Sequence, residues 1–224
     1  MSRLTFCVRR LGLVLGALLL LGLGTSARAD IVVLQGVNNQ GTDNVLLNPA
    51  TDLLTVTGTV GQNNLLVNFT STSGSMLLNA DPSGQARVSG GTGNAPFSNI
   101  TFALDNNATF TRAVFNVNSD VTGQIQITVT GINITGGQFQ DTFTVDANGE
   151  NFFTVTAING QLIQSITIQG LGNVVFEDLR QVRLGGGEIV ETPIPEPASM
   201  LLLGSGLLGA VAAIRRRRNM AKTE

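Results

Sequence analysis

"QFQDTFTVDANGENFFTVTAINGQLIQSITI", Gln138 to Ile168, contains three runs rich in Thr, Ile, Val and Phe, separated by two Asn-Gly dipeptides. Phe143 and Val145 alternate with polar neighbours in the first run, a period of two that suits a strand with one face on a core and the other in water. Asn148-Gly149 and Asn159-Gly160 tolerate the positive φ angles of a tight reversal. The stretch is therefore expected to fold as an antiparallel meander of three adjacent strands.

The same alternation spreads outward along the chain. Ile100, Phe102 and Leu104 carry it in "NITFALD", and Ile125, Ile127 and Val129 carry it in "GQIQITVTG". Further strands are expected at Ile31–Leu34, Leu53–Val60, Leu65–Thr70, Met76–Asn79, Gln85–Ser89, Ala108–Val117 and Val174–Leu184. No window sustains a helical period beyond about two turns. Ten or so strands in one all-β domain point to a β-sandwich of jelly-roll type, its sheets about 10 Å apart. A β-solenoid is the alternative, since Asn, Gly and Thr also suit stacked coils. Thr-Val-Thr recurs at Thr55, Thr128 and Thr154, but at spacings of 73 and 26 residues, which is no repeat. It reads as ordinary strand propensity.

Both ends of the 224-residue chain differ from this body. Arg3, Arg9 and Arg10 precede an apolar run from Leu11 to Leu23, and Ala27-Arg28-Ala29 offers small residues at both cleavage-defining positions. Such a run reaches only about 20 Å as a helix, short of the roughly 30 Å hydrocarbon core, so residues 1–29 read as a removable signal peptide with Asp30 as the new N-terminus. Export would then engage a translocon and a signal peptidase. Residues 30–184 form the expected domain, and 185–194 ("GGGEIVETPI") read as a linker.

Composition excludes several functions. From Asp30 to Glu196 there are fourteen acidic residues against Arg87, Arg112, Arg180 and Arg183, a balance of −10. A nucleic-acid partner needs the opposite sign. The chain has no His, its one Cys (Cys7) lies in the leader and its one Lys (Lys222) in the tail, so Ser-His-Asp, Cys-His, Ser-Lys and His/Cys zinc chemistries are all missing from the domain. Nor can a disulfide staple it. Catalysis would fall to carboxylates such as Asp141, Asp146, Glu150, Glu177 or Asp178 in a polysaccharide hydrolase. With no Trp or Tyr to bind sugars and only Phe left, a non-enzymatic reading is preferred. Arg180, Gln181 and Arg183 are expected to pair with Glu177 and Asp178. No cofactor is expected; calcium is the one candidate ion, at Asp146, Asn148 and Glu150 in "DANGEN", where a plain turn is the preferred reading. Four Asn-X-Ser/Thr sequences, at Asn68, Asn99, Asn107 and Asn133, are what an Asn- and Thr-rich chain yields by chance.

The C-terminal region carries the sharpest signal. Pro195-Glu196-Pro197 precedes Ala198 to Ile214, 17 residues without a charge, and Arg215, Arg216, Arg217 and Arg218 follow. The apolar run is at the lower limit for a membrane-crossing helix, and the arginines would hold its end in the cytoplasm, with 219–224 as a tail. Pro-Glu-Pro, the glycine-bearing apolar run and the arginine block together resemble the PEP-CTERM sorting signal of Gram-negative bacteria. That resemblance implies recognition by an exosortase, an integral-membrane cysteine protease or transpeptidase, in bacteria that make extracellular polysaccharide. It covers about 30 residues and implies an exported surface or matrix protein, anchored transiently in the inner membrane and associated with exopolysaccharide. A carboxylate-dependent hydrolase and a permanently anchored envelope protein are the alternatives.

Overall fold

The computed structural model describes residues 30–189, apart from 73–75, 84, 85, 120 and 149. Alternation becomes strand almost everywhere it was expected. The strands are β1 (Ile31–Gln35), β2 (Asp43–Asn44), β3 (Leu46–Leu47), β4 (Ala50–Leu53), β5 (Thr55–Val60), β6 (Leu65–Thr70), β7 (Leu78–Asp81), β8 (Arg87–Gly90) and β9 (Asn99–Leu104). They continue as β10 (Ala108–Thr109), β11 (Arg112–Ser119), β12 (Gly123–Ile132), β13 (Gln138–Ala147), β14 (Glu150–Ala157), β15 (Leu162–Gly170), β16 (Phe176–Gly185) and β17 (Glu188–Ile189).

Two sheets form a sandwich. Sheet A runs β1-β14-β11-β16-β8-β7-β4, with β2 also on β16; sheet B runs β13-β12-β15-β9-β6-β5-β3. Every described ladder is antiparallel, as a sandwich requires and parallel solenoid coils do not. A short pair, β10-β17, carries the chain past the expected boundary at Leu184, so Gly185–Ile189 belongs to the fold rather than to the linker. Among the described residues no helix is long and apolar enough to cross a membrane.

The meander is corrected. Its three strands exist, but β13 pairs with β12 in sheet B, β14 with β1 and β11 in sheet A, and β15 with β12 and β9 back in sheet B. At 158–161 the chain does make the tight turn that Asn-Gly favours: Asn159 and Gly160 have φ of 55° and 76°, and Gln161 N–H donates to Ile158 O at 3.1 Å. The strand it delivers, however, faces its predecessor across the core instead of lying beside it. Turn chemistry reverses the chain; burial decides which sheet receives it.

The core between the sheets is built on phenylalanine. Phe69 and Phe102 come from sheet B, Phe115 and Phe153 from sheet A, and all four are fully buried. Phe102 contacts Phe69 (centroids 6.0 Å apart), Phe110 (6.4 Å) and, edge to face, Phe115 (5.5 Å), and Phe115 continues to Phe153 (6.0 Å). This chain of rings ties one sheet to the other.

A strap, Gly36 to Thr42, crosses the outer face of sheet A between β1 and β2. Gly36 N–H donates to Phe152 O (2.7 Å), Thr154 Oγ1 donates to Gly36 O (2.9 Å) and accepts from Asn38 N–H (3.1 Å), and Arg112 Nη1 donates to Gln40 O (2.5 Å). A side chain at Gly185 would overlap the Gly41 carbonyl, so glycine there lets the strap lie flat on the sheet. Beneath it Val114 and Thr154 are buried although they point away from the core. Beyond the strap that face carries polar side chains, several of them buried.

Candidate functional site

The open part of sheet A's outer face is set out by strand register. One row reads Asp81, Arg87, Arg180, Asn116, Phe152 across β7, β8, β16, β11 and β14; the next reads Asn79, Ser89, Asp178, Asn118, Glu150. Two irregularities in β16, one at Glu177 and one at Gln181, whose φ is 50°, adjust its alternation. Between them Asp178 and Arg180 both point outward while Leu179 enters the core.

A cleft of about 340 Å³ lies here, lined by Arg87, Ser89, Asn94, Pro96, Glu177, Asp178 and Arg180. Its floor is a fork-shaped ion pair. Arg180 Nη2 donates to Asp178 Oδ2 at 2.9 Å, and Nε lies 2.5 Å from Oδ1. The expected pairing of β16's arginines with its acids thus holds for Arg180 and Asp178. Glu177 accepts from Asn118 Nδ2 at 2.7 Å. Asn116, opposite Arg180, is 1% exposed, and its Oδ1 has no hydrogen-bond partner among the described residues.

One wall is the turn Gly91–Asn94. Thr92 and Asn94 have φ of 49° and 60°. A β-branched residue in the left-handed region costs on the order of 1–3 kcal/mol. Thr92 N–H is held by Asp52 Oδ1 at 2.5 Å, and Ser89 Oγ donates to Asn94 Oδ1 at 2.9 Å. The turn folds tightly back on β8, since any side chain at Gly90 would overlap the Ala95 carbonyl.

At the opposite edge Asp81 is anchored by Ser83, whose hydroxyl and N–H donate to Oδ1 at 2.5 and 2.9 Å, while Arg87 Nη2 stands 3.5 Å from Oδ2. The Ser83 donors first, and Arg87 more weakly, hold the Asp81 carboxyl below the ordinary aspartate value. A depressed folded value means that the stabilisation is present above the unfolded value and is lost as pH falls through the folded one. Carboxyl NMR titration should find Asp81 below the ordinary range, and Ser83→Ala should raise it; an unmoved midpoint would show that Ser83 is not the cause.

The sequence candidates scatter. Asp141 and Asp146 lie on opposite faces of β13, Asp141 on the core side and Asp146 exposed, accepting from Gln124 Nε2 at 3.3 Å. Asn148 is exposed, and Glu150 takes a register position on β14, in the other sheet from Asp146. Among the described residues no three His, Cys, Asp or Glu gather as a metal-binding group. Of the hydrolase candidates, Glu177 and Asp178 share the cleft, and both are engaged by other side chains. Asp30 accepts from Asn159 Nδ2 at 2.5 Å. Ala27, Ala29, Pro195, Glu196, Pro197 and Arg215–Arg218 lie outside the described residues, as do the expected leader and membrane helix.

Sequence reasoning missed Phe152. Adjacent phenylalanines on one strand must face opposite ways, so with Phe153 in the core, Phe152 is half-buried on the outer face, next to Asn116 in the register. The signal was the doublet itself.

In a comparison with known families, residues 193–218 match the PEP-CTERM protein-sorting motif. The chain carries a PEP-CTERM signal. The motif implies export and membrane-anchored sorting and is consistent with an exosortase substrate. No curated protein matches the chain. Among solved structures, the CBM22-1-GH10 modules of a Clostridium thermocellum endo-1,4-β-D-xylanase, complexed with xylohexaose, align at 14% identity and TM-score 0.29. That alignment takes in 71% of this chain but 29% of the xylanase. A family 29 carbohydrate-binding module from Piromyces equi aligns at 14% and 0.27 (75% and 97% of the two chains). A family 11 module from C. thermocellum, in complex with a β-1,3-1,4-mixed-linked tetrasaccharide, aligns at 10% and 0.28 (72% and 91%). The sandwich architecture of this chain rests on its own strand pairings.

Proposed function

We propose that this is an exported, non-catalytic surface or matrix protein, processed by an exosortase-like membrane enzyme, whose sandwich holds extracellular polysaccharide in the cleft on sheet A. The sorting half is supported by the motif at 193–218. The binding half is carried by one observation: on the outer face of sheet A, one register row runs from the cleft arginines Arg87 and Arg180, over the buried Asn116, to the half-buried phenyl ring of Phe152 just outside the cleft. A sugar presents both hydroxyls and an apolar C–H face, and such a row meets both. Arg180 and Asp178 supply a prealigned donor and acceptor at the cleft floor, held by each other before a ligand arrives.

Two measurements test this. Intact-mass analysis of protein from the medium should show a chain lacking Arg215–Arg218; released protein that retains them would end the processing half, and protein found only in the membrane with them intact would make the anchor permanent. Retention on the producer's own exopolysaccharide should weaken about tenfold in Phe152→Ala, as for an aromatic anchor. Unchanged retention would remove the phenyl ring from the reading, and unchanged retention in Arg87→Ala as well would remove the cleft. Release of new reducing ends from that polymer would replace it with the hydrolase.

A further inference from the structure

The Thr-Val-Thr tripeptides acquire a meaning once register is known. On the outer face of sheet B, Thr142, Thr128, Thr167, Thr101, Thr70 and Thr55 are successive cross-strand neighbours over β13, β12, β15, β9, β6 and β5. Six threonines make one unbroken line across the sheet, about 24 Å long at ordinary strand spacing. The row beside it reads Gln140, Thr130, Ser165, Ala103, Asn68, Thr57, and the row on the other side Thr144, Gln126, Gln169, Asn99. Two of the three Thr-Val-Thr segments thus place both their threonines in this array.

The hydroxyls bond in pairs along the line: Thr128 with Thr142 (3.3 Å), Thr101 with Thr167 (2.7 Å) and Thr55 with Thr70 (3.2 Å), with Thr130 and Ser165 (2.6 Å) beside them. Each pair spends one donor, so one hydroxyl hydrogen per pair and several lone pairs face outward. None of the three rows contains Asp, Glu, Lys or Arg, in a domain (30–184) that has eleven acidic residues against four arginines.

That chemistry selects the partner. A polyanion or an anionic lipid surface would find no cation in the three rows. A protein interface of ordinary kind has aromatic, Met or Arg anchors at its centre, which are missing from these rows, and a second copy of this acidic domain would be repelled. What fits an uncharged, hydroxyl-bearing surface is an uncharged, hydroxyl-bearing polymer. We propose that the outer face of sheet B is a second docking surface, taking a neutral glycan against the threonine line. The sandwich then holds glycan on both outer faces and can bridge two chains of a matrix. The proposal rests on the polysaccharide reading above but uses different residues.

The test is affinity electrophoresis of the full-length chain in detergent, through gels holding hydroxyethyl cellulose, xylan or dextran, with polygalacturonate as the anionic comparison. The triple variant Thr101→Val, Thr128→Val, Thr167→Val removes hydroxyls while keeping shape and strand propensity, and it should weaken binding to a neutral polymer about tenfold. Thr128→Lys alone provides a second variant should the triple one fold poorly, and should weaken binding similarly. Phe152→Ala, on the other face, should leave this component in place, and wild-type protein, but neither variant class, should cross-link beads coated with the neutral polymer. Wild-type binding by both threonine variants overturns the second surface while leaving the cleft reading intact if Phe152→Ala abolishes retention. Retention on polygalacturonate alone overturns the neutral class, and self-association that the threonine variants abolish would make the face a protein contact instead. No retention on any of these polymers overturns the second surface, and the cleft reading is then decided on the producer's own exopolysaccharide alone.

Discussion

Phe102→Ala is expected to remove about 3–5 kcal/mol of stability, the usual cost of deleting a fully buried aromatic ring, and to lower the melting temperature by roughly 10 °C or more. Phe102 is the ring at which the two sheets meet, touching Phe69 and Phe110 on one side and Phe115 edge-on across the interface. Alanine there would open a cavity that neither sheet can close without shifting its own ladder. The domain has no cysteine with which to restrain the unfolded chain, so the loss is not offset elsewhere. Phe143→Ala provides the contrast: its ring is only partly buried, on the edge strand β13, and its removal should cost about half as much or less. Denaturant melts of the two variants decide the matter. Similar midpoints would show that the ring chain does not concentrate stability at the sheet interface.

What the sequence made legible followed the range of each signal. Strand alternation is local, and Ile100, Phe102, Leu104, Ile125, Ile127 and Val129 all enter the core as their spacing demands. The sorting motif is local too, a contiguous stretch. Pairing is not local. The two Asn-Gly dipeptides mark where the chain turns, but not that β14 leaves the sheet of β13 and β15, because a strand with one apolar face is equally satisfied beside its neighbour or across the core from it. The threonine line is the extreme case. Its members are scattered from Thr55 to Thr167 and align only through five successive strand registers, so composition shows their abundance and nothing of their order. The outward turn of Asp178 and Arg180 depends on irregular residues at Glu177 and Gln181, neither of them a glycine that would have marked the spot.

Arg180→Ala should be the most damaging change in the cleft. It would strand the Asp178 carboxylate, whose side chain is 6% exposed, without its cation, and breaking a buried pair from one side costs about 3–5 kcal/mol, toward the lower end here because Arg180 is itself 18% exposed. Asp178→Leu should cost less, since the guanidinium it abandons can reach water. The double variant Arg180→Met with Asp178→Leu should recover most of the stability, because two apolar side chains need no partner where two charges do. Denaturant melts of the wild type, Arg180→Met, Asp178→Leu and the double variant form the cycle, and a double variant as unstable as Arg180→Ala would show that the pair is needed for folding. If stability returns, the ion pair contributes little that hydrophobic packing could not, and its presence must be explained by the cleft it floors. The same double variant should then fold normally yet lose retention on neutral polymer at the sheet A site, leaving the binding attributed to sheet B. Stability and recognition would be separated in one molecule, with Arg180 and Asp178 assigned to recognition.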